Sequence, residues 1–215
     1  MPTALITGAS RGIGAAMTRE LTARGFDTIG TSTKGGDGLY PLDVTDPQGP
    51  AALAQTLSGT PIDLLVCNAG LYLDRGQTLA TGYPATMWAM EFAVNVTGVF
   101  LTIQAFLPAL RAAQGKIAII SSQMASHTRA PGGSYIYRSS KAAALNLGRN
   151  LATDLRPEGI AVGIYHPGWV KTDMGGAGAE ITPEAAATGL SDRFEALSLA
   201  STGCFETWDG RAHAY

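Results

Sequence analysis

Short apolar runs alternate with longer helical segments along most of this chain. The runs typical of strands are Thr3–Thr7, Asp27–Thr31, Ile62–Cys67, Lys116–Ser121, Ile160–Tyr165 and Gly203–Glu206. The helical segments between them cover residues 12–24, 84–113, 136–155 and 183–199. Strands separated by helices imply right-handed crossovers and a parallel sheet covered on both faces. The alternation therefore predicts an α/β fold with a doubly wound parallel sheet.

Chemically distinctive residues stand where the predicted strands end. Gly8, Asn68, Ser121–Ser122 and Pro167–Gly168 each follow an apolar run. In open parallel sheets, ligands bind beyond the carboxyl ends of the strands. These residues, scattered in sequence, are therefore expected to meet at one edge of the sheet.

A glycine-rich turn, Thr7 to Gly14, joins the first strand to the first helix. Its spacing is Gly-x-x-x-Gly-x-Gly, which differs from the commoner Gly-x-Gly-x-x-Gly. Glycines allow close approach of the backbone to a ligand, and a helix start offers free N–H groups that suit a pyrophosphate. In this position the turn favours dinucleotide binding.

Tyr137 and Lys141 stand four residues apart in a predicted helix. That spacing puts both side chains on one helix face. A cation beside a phenol lowers the phenol's pKa, which would yield a proton donor and acceptor near neutral pH. By itself the pair is more often part of an ordinary surface helix, so its meaning depends on the other motifs.

Length and composition limit the classes of function. The 215 residues suit one domain, and a formal net charge of −2 without a basic stripe argues against nucleic acid as a partner. No run of about 18 consecutive apolar residues is present, so no membrane span is expected. The first strand begins at Thr3, which leaves no room for a cleavable signal, and a cytoplasmic location is expected.

Cysteine and histidine add no sign of a metal site. Cys67 and Cys204 are expected to be reduced thiols in the core rather than a disulfide. The histidines are far apart and lack zinc-type spacing; they are His127, His166 and His213.

Taken together, the motifs resemble those of the short-chain dehydrogenase/reductases over nearly the whole chain. The matching segments are Thr7–Gly14, Leu42–Thr45, Asn68–Gly70, Asn95–Gly98, Ile119–Ser122, Tyr137–Lys141 and Pro167–Thr172. The appearance is closest to the small C-factor-like branch. The resemblance implies one Rossmann-like dinucleotide-binding and catalytic domain over residues 1–215, with a substrate loop at about 174–190.

The resemblance also implies four catalytic residues. Tyr137 would give a proton to the substrate oxygen, and Ser122 would hydrogen-bond that oxygen. Lys141 would lower the pKa of Tyr137 and hold the nicotinamide ribose. Asn95 would hold a water that links Lys141 to solvent; asparagine is a poor helix-interior residue, so a local helix distortion is expected there, although a tolerated surface asparagine is the alternative.

The serine assignment has competitors. Ser122 lies slightly farther from Tyr137 than is usual in the family. Ser121 should face the opposite side of its strand, and Ser126 is a weaker substitute.

The expected cofactor contacts lie in the matched segments. They are Gly8, Ser10, Arg11, Gly12, Ile13, Gly14, Ser32, Asp43, Val44, Asn68, Ala69, Gly70, Tyr137, Lys141, Pro167, Gly168, Val170 and Thr172. An acid after the second strand would select NAD(H), but Gly30–Lys34 contains none. Arg11 lies in the glycine turn, where basic residues go with NADP in this family. NADP(H) is therefore expected over NAD(H), unless Arg11 and Lys34 are plain solvated charges.

Two regions depart from the family pattern. Only a short glycine-rich link separates Thr31 from Leu39, so the usual helix is missing and the Leu39–Asp43 strand is either rudimentary or unusual in path. The glycine-rich part of the substrate loop, Met174–Ile181, is short. Four aromatic or sulfur side chains are equally consistent with pocket walls and with packing: Tyr72, Met124, Tyr135 and Trp169.

Three functions compete. The leading hypothesis is an NADPH-dependent carbonyl reductase or alcohol dehydrogenase for a small carbonyl or alcohol substrate. A non-catalytic NADP(H) sensor or signalling protein would not need the four catalytic residues, and a nucleotide-sugar epimerase or dehydratase would need a larger substrate domain.

A homodimer or homotetramer is expected through helices 84–113 and 136–155, where Phe100, Phe106 and Leu107 fit either an interface or burial against the sheet.

Overall fold

Seven parallel strands form one sheet in the computed structural model, which describes residues 1–215. The strands are β1 (Thr3–Ile6), β2 (Asp27–Ser32), β3 (Tyr40–Pro41), β4 (Leu64–Cys67), β5 (Lys116–Ile120), β6 (Ala161–His166) and β7 (Phe205–Thr207). Their order across the sheet is β3-β2-β1-β4-β5-β6-β7. The order reverses between β1 and β4, which is the crevice where ligands bind in such sheets.

Six α-helices cover the two faces of the sheet. They are α1 (Gly12–Ala23), α2 (Gly49–Thr56), α3 (Ala85–Phe92), α4 (Gly98–Ala113), α5 (Tyr135–Leu155) and α6 (Pro183–Ala196). Helices α1 and α6 pack on one face through residues such as Met17 and Phe194, whereas α2, α4 and α5 pack on the other. Because side chains alternate along a strand, Leu5 joins one core and Ile6 the other. The predicted doubly wound α/β fold is confirmed.

Several element boundaries differ from the prediction. Helix α2 was not predicted, and the segment expected to run from 183 to 199 ends at Ala196. The helix predicted over 84–113 is two α-helices joined by a π-helical segment, Ala93–Thr97. The last strand, expected over 203–206, is Phe205–Thr207.

The link from β2 to β3 contains no helix. Residues 33–39 alone connect two parallel strands, which pair only at Thr31 with Tyr40 and Ser32 with Pro41. Backbone φ is positive over the whole run Gly35–Gly38, including 51° at Asp37. These left-handed residues turn the chain back tightly, so β3 forms a rudimentary two-residue edge strand. The missing helix is confirmed.

The helical run Ala85–Ala113 is long and apolar enough to cross a membrane by length and composition. In the fold this run contacts α2, α5 and the central strands. Glu91 and Asn95 are fully buried within it. The run therefore packs within the fold against the sheet and its neighbouring helices.

Candidate active site

The motif residues meet at the carboxyl edge of four neighbouring strands. Gly8 follows β1, Asn68 follows β4, Ser122 follows β5 and Pro167 follows β6. These strands are adjacent in the order β1-β4-β5-β6. The sheet thus brings together residues that are far apart in sequence, as the strand ends predicted.

Tyr137 and Lys141 lie on the buried face of α5. Their exposed fractions are 8% and 4%, and Lys141 Nζ lies 5.7 Å from the centroid of the Tyr137 ring. Lys141 Nζ donates a hydrogen bond to the Ile120 carbonyl at 3.0 Å. This bond fixes the ammonium at the end of β5 and leaves its other N–H groups for further partners.

The electrostatic setting of the pair differs from the sequence prediction. Burial lowers the pKa of Lys141 to about 8, and the charge of Glu91 opposes that shift. Burial also raises the pKa of Tyr137, while its interaction with the Ser122 hydroxyl opposes the rise. The protein's own groups therefore favour the neutral phenol of Tyr137, whereas a lowered pKa was expected.

Ser122 is the serine that faces Tyr137. Its backbone is extended, it precedes a short 3-10 turn at Gln123–Ala125, and its Oγ accepts the Met124 N–H at 3.1 Å. Its O–H stays available as a donor. Ser121 faces the other side of the strand and donates to the Lys141 carbonyl at 3.0 Å, as expected from strand alternation.

Asn95 lies inside the π-helical segment, so the predicted helix distortion is present. Its Oδ1 accepts the Leu71 N–H at 2.8 Å, and its Nδ2 donates to the Leu71 carbonyl at 2.9 Å and to Ser140 Oγ at 3.0 Å. A Cβ at Gly70 would lie 3.3 Å from both Asn95 Oδ1 and Lys141 Nζ. Asn95 therefore holds the chain after Gly70 next to the lysine.

The glycine turn has the shape of a phosphate-binding loop. A Cβ at Gly14 would collide with the Gly8 carbonyl oxygen, and Gly8 has a φ of 67°. Asn68 Nδ2 donates to the Thr7 and Gly8 carbonyls at 2.9 and 3.0 Å. Arg11, at the N-cap of α1, makes no side-chain cap, so its side chain leaves the first N–H groups of that helix free to bind a ligand. These features fit the pyrophosphate of a dinucleotide.

The remaining expected cofactor contacts line the same edge. Ser32 Oγ accepts the Gly35 N–H at 3.0 Å, and Asp43 accepts hydrogen bonds from Thr45 that lower its pKa. The Thr172 side chain packs onto Gly12, with its methyl 3.2 Å from where a Cβ would lie. Other expected contacts lie nearby in the same turns: Ser10, Ile13, Val44, Ala69, Gly70, Pro167, Gly168 and Val170.

Arg11 is exposed and forms an ion pair with Asp173, directly before the expected substrate loop. The pair connects the glycine turn to the start of that segment. Both side chains are mostly in water, so the pair is weakly held and Arg11 is available to an anionic ligand.

The segment Leu71–Arg75, called the 71–75 segment below, joins the elements around the site. The ring of Tyr72 stacks on that of Tyr137 with centroids 4.3 Å apart, and its hydroxyl bonds Ser134 Oγ at 2.5 Å. The Arg75 guanidinium lies 5.0 Å from the Tyr72 ring centroid and donates to the Met174 carbonyl in the substrate loop. Tyr72 thus forms a wall beside the phenol of Tyr137.

Sequence reasoning missed two buried carboxyl groups at the site. Asp74 is fully buried and accepts the backbone N–H groups of Ile136 and Tyr137 at 2.8 and 3.4 Å. Glu91 is also fully buried, and its Oε2 accepts the Leu73 N–H at 3.0 Å. A lone acid in the apolar run Trp88–Val94 was a signal for Glu91, but no local pattern marks Asp74.

The other proposed wall residues lie at the rim. Trp169 is about half exposed, and its Nε1 donates to the Gly175 carbonyl at 2.9 Å. Tyr135 is exposed at the start of α5 and packs edge to face against Tyr83. Met124 is half-buried beside Ser122. These contacts leave Tyr72 as the residue in direct contact with Tyr137.

Comparison with known proteins agrees with this geometry. Residues 2–180 match the family model described as short chain dehydrogenase. The chain is 34% identical to 1-hydroxy-2-glutathionyl-2-methyl-3-butene dehydrogenase of Rhodococcus sp. (strain AD45), with 98% of each chain aligned. It is 36% identical to C-signal of Myxococcus xanthus, over 74% of this chain and 96% of that protein.

Two solved structures share the whole fold. The NADPH-bound carbonyl reductase from chicken fatty liver has a TM-score of 0.89 and 29% identity, covering 100% of this chain and 99% of that one. A short-chain dehydrogenase/reductase from Burkholderia multivorans with bound NADP has a TM-score of 0.88 and 30% identity, with the same coverage.

Proposed function

The chain belongs to the short-chain dehydrogenase/reductase family, in its C-factor-like branch, and on that premise we propose that it is an NADPH-dependent carbonyl reductase for a small carbonyl or alcohol substrate. Membership makes it an oxidoreductase of CH–OH and C=O groups that uses a nicotinamide cofactor. When bound, that cofactor supplies or accepts the hydride. One observation carries the proposal: Tyr137 and Lys141 are buried together beside Ser122, at the sheet edge that holds the glycine turn.

Tyr137 is the proton donor to the substrate oxygen in reduction. Its raised pKa keeps the phenol neutral, so the proton is present when negative charge develops on the carbonyl oxygen. The Ser122 O–H donates to the same oxygen, and the two donors act as a preorganised pair. Lys141, fixed by the Ile120 carbonyl, places a cation next to the phenolate that remains.

Asn95 supports the pair through the backbone. Its side chain is fixed to Leu71 and Ser140 and lies next to Lys141 across Gly70. A water held at this widened turn would return protons from solvent to Lys141. The buried asparagine and the π-helical segment support this role.

NADP(H) is preferred over NAD(H) in this proposal. Two observations support it: Arg11 is exposed beside the glycine turn, and the end of β2 carries Ser32 with no acidic neighbour before Asp37. A 2′-phosphate would find a cation there, and the end of β2 carries no carboxylate that would repel it. The NADPH-bound and NADP-bound relatives support the same assignment.

The proposal extends to partners and place of action. We expect a homodimer or homotetramer in the cytoplasm, with neither a nucleic acid nor a membrane as a partner. The formal net charge of −2 and the absence of a basic stripe argue against nucleic acid as a partner.

Loss of NADPH absorbance with a panel of aldehydes, ketones and quinones tests the activity. Tyr137→Phe removes the donated proton and should lower kcat by about 10²–10⁴-fold while NADPH binding is retained. Tyr135→Phe is the matched control, because this tyrosine is exposed and has Ser139, not a lysine, four residues later. NADPH binding without turnover of any substrate would favour the sensor hypothesis.

A further inference from the structure

Glu91 is a buried carboxyl group in the protein layer behind the catalytic lysine. Its side chain is fully buried, its Oε2 accepts the Leu73 N–H at 3.0 Å, and its Oε1 has no hydrogen-bond partner. A buried carboxylate with an unpartnered oxygen is costly. The hydrogen bond to Leu73 requires only a neutral acceptor, so that bond alone gives no reason for a charged group at this position.

Glu91 lies on the side of the helical run that faces the active site. Glu91 lies four residues before Asn95, so the two side chains leave the same side of the run Ala85–Thr97. Asn95 holds the 71–75 segment at Leu71, and Glu91 holds the same segment at Leu73. Asn95 also donates to Ser140 Oγ at 3.0 Å, one residue before Lys141, so the face that carries Glu91 and Asn95 is turned toward the lysine on α5.

Charge connects Glu91 to both members of the catalytic pair. Its negative charge raises the pKa of Lys141 against the effect of burial, and it also raises the pKa of Tyr137. Both effects favour an ammonium at Lys141 and a neutral phenol at Tyr137. This is the protonation state in which the pair is ready to donate.

We propose that Glu91 is a further positioning residue of this active site, a buried counter-charge that keeps Lys141 protonated and Tyr137 neutral. The inference rests on the proposed function, because it assigns Glu91 a role in the same proton donation. Glu91 acts through Lys141 and does not contact the substrate.

The charged groups that act on Glu91 come from the elements packed around it. Lys141 on α5 favours its ionised form, whereas Asp74 in the 71–75 segment and burial oppose ionisation. Burial raises the pKa of Glu91 to about 7. The Glu91 carboxyl is therefore fully ionised only above neutral pH, in the range where Lys141 itself begins to lose its proton.

Side-chain NMR titration of Lys141 in the full-length protein tests the proposal without requiring turnover. Glu91→Gln keeps an acceptor for the Leu73 N–H and removes only the charge. We expect the pKa of Lys141 to fall by at least about half a unit in this variant. Glu158→Gln, which changes an exposed carboxyl paired with Arg111, is the matched control and should leave Lys141 unchanged.

Kinetics give a second measurement. In reduction, the alkaline limb of the kcat profile should move to lower pH in Glu91→Gln, parallel to the titration of Lys141. An unchanged Lys141 titration in a folded Glu91→Gln protein would overturn the proposal, since Glu91 would then be only a hydrogen-bond acceptor.

A direct titration covers the case in which the variant does not fold. The Glu91 carboxyl of the wild-type protein should lose its proton at a lower pH than Lys141 does; a carboxyl that stays protonated throughout the titration of Lys141 would also overturn the proposal. Failure of the proposed function can be told apart from failure of this inference. If the wild-type protein shows no turnover, the NMR titrations still measure the coupling between Glu91 and Lys141.

Discussion

Burial and charge act in opposite directions on the pKa of Lys141. Removal of water disfavours its ammonium, whereas the Ile120 carbonyl and the Glu91 carboxyl group favour it. The balance leaves a pKa of about 8, close enough to neutrality for the ammonium to exchange protons readily. At the residue scale, the protonation state of Lys141 therefore depends on two groups: the Ile120 carbonyl and the Glu91 carboxyl.

Replacement of Glu91 by glutamine should stabilise the protein at alkaline pH. The folded state raises the pKa of Glu91 from 4.5 to about 7, so between these values the folded state holds more protons than the unfolded state. Stability therefore falls as pH rises through that window, and a neutral amide at this position removes this loss. We expect the free energy of unfolding of Glu91→Gln to exceed that of the wild type by about 3 kcal/mol at pH 8, with little difference at pH 4.

Urea unfolding of both proteins across this pH range measures the difference. Glu158→Gln is again the control, because its partner Arg111 lowers the pKa of Glu158 in the folded state. A constant difference between wild type and Glu91→Gln at all pH values would contradict the expectation.

Arg11 should decide between the two cofactors. Arg11→Ala removes the cation available to a 2′-phosphate, so NADPH affinity should fall about tenfold, or about 1.4 kcal/mol, with little change for NADH. Asp173→Asn removes the carboxylate that competes for Arg11 and should tighten NADPH binding. Calorimetric titration of both cofactors measures the effects, and equal losses for NADH and NADPH would exclude a role for Arg11 in selectivity.

At the scale of elements, helix α5 obtains its N-terminal cap from a distant loop. Ser134 stands at the N-cap position with a φ of 48° and makes no side-chain cap. Asp74 accepts the N–H groups of Ile136 and Tyr137 instead. This arrangement ties the start of α5 to the segment that carries Tyr72.

Loss of this cap should destabilise α5 and misplace the phenol. Asp74→Ala leaves two buried N–H groups without their acceptor, and we expect a cost of about 1–3 kcal/mol in unfolding free energy together with reduced kcat. Asp154→Ala, an exposed site on the same helix, is the control. Denaturant unfolding and NADPH oxidation give the two measurements, and equal stability of the two variants would argue against the cap.

The sequence predicted the elements that have strong local patterns. The strands ending at Cys67 and Ile120 are continuous apolar runs, and Asn95 marked the helix distortion by its poor fit to a helix interior. The cap by Asp74 could not be predicted, because it depends on a contact across 62 sequence positions. The raised pKa of Tyr137 also depends on burial, which spacing alone does not reveal.

At the scale of the whole molecule, helix α4 presents two different surfaces. Phe106 is buried against the sheet, so its role is packing, whereas Phe100 is 39% exposed. Of the residues considered for an interface, Phe100 is thus the one that remains available to a second copy. An exposed aromatic side chain on a long helix suits the centre of such an interface.

Phe100→Asp should dissociate the oligomer. The chain has a mass of 22.2 kDa, and light scattering should report a multiple of this value for the wild type and the single-chain value for the variant. Leu79→Asp, at a strongly exposed loop position, should not change the mass. A wild type that is monomeric at micromolar concentration would contradict the expected homodimer or homotetramer.

The short β2–β3 link has a consequence for how the cofactor is used. Without a helix over residues 33–39, the chain beside the expected adenosine end of the cleft is a two-residue strand and a short link rich in glycine. Little apolar surface is available to retain that half of the nucleotide. We expect a freely diffusing, readily exchanged redox carrier, shared among many enzyme molecules, rather than a permanently resident prosthetic group.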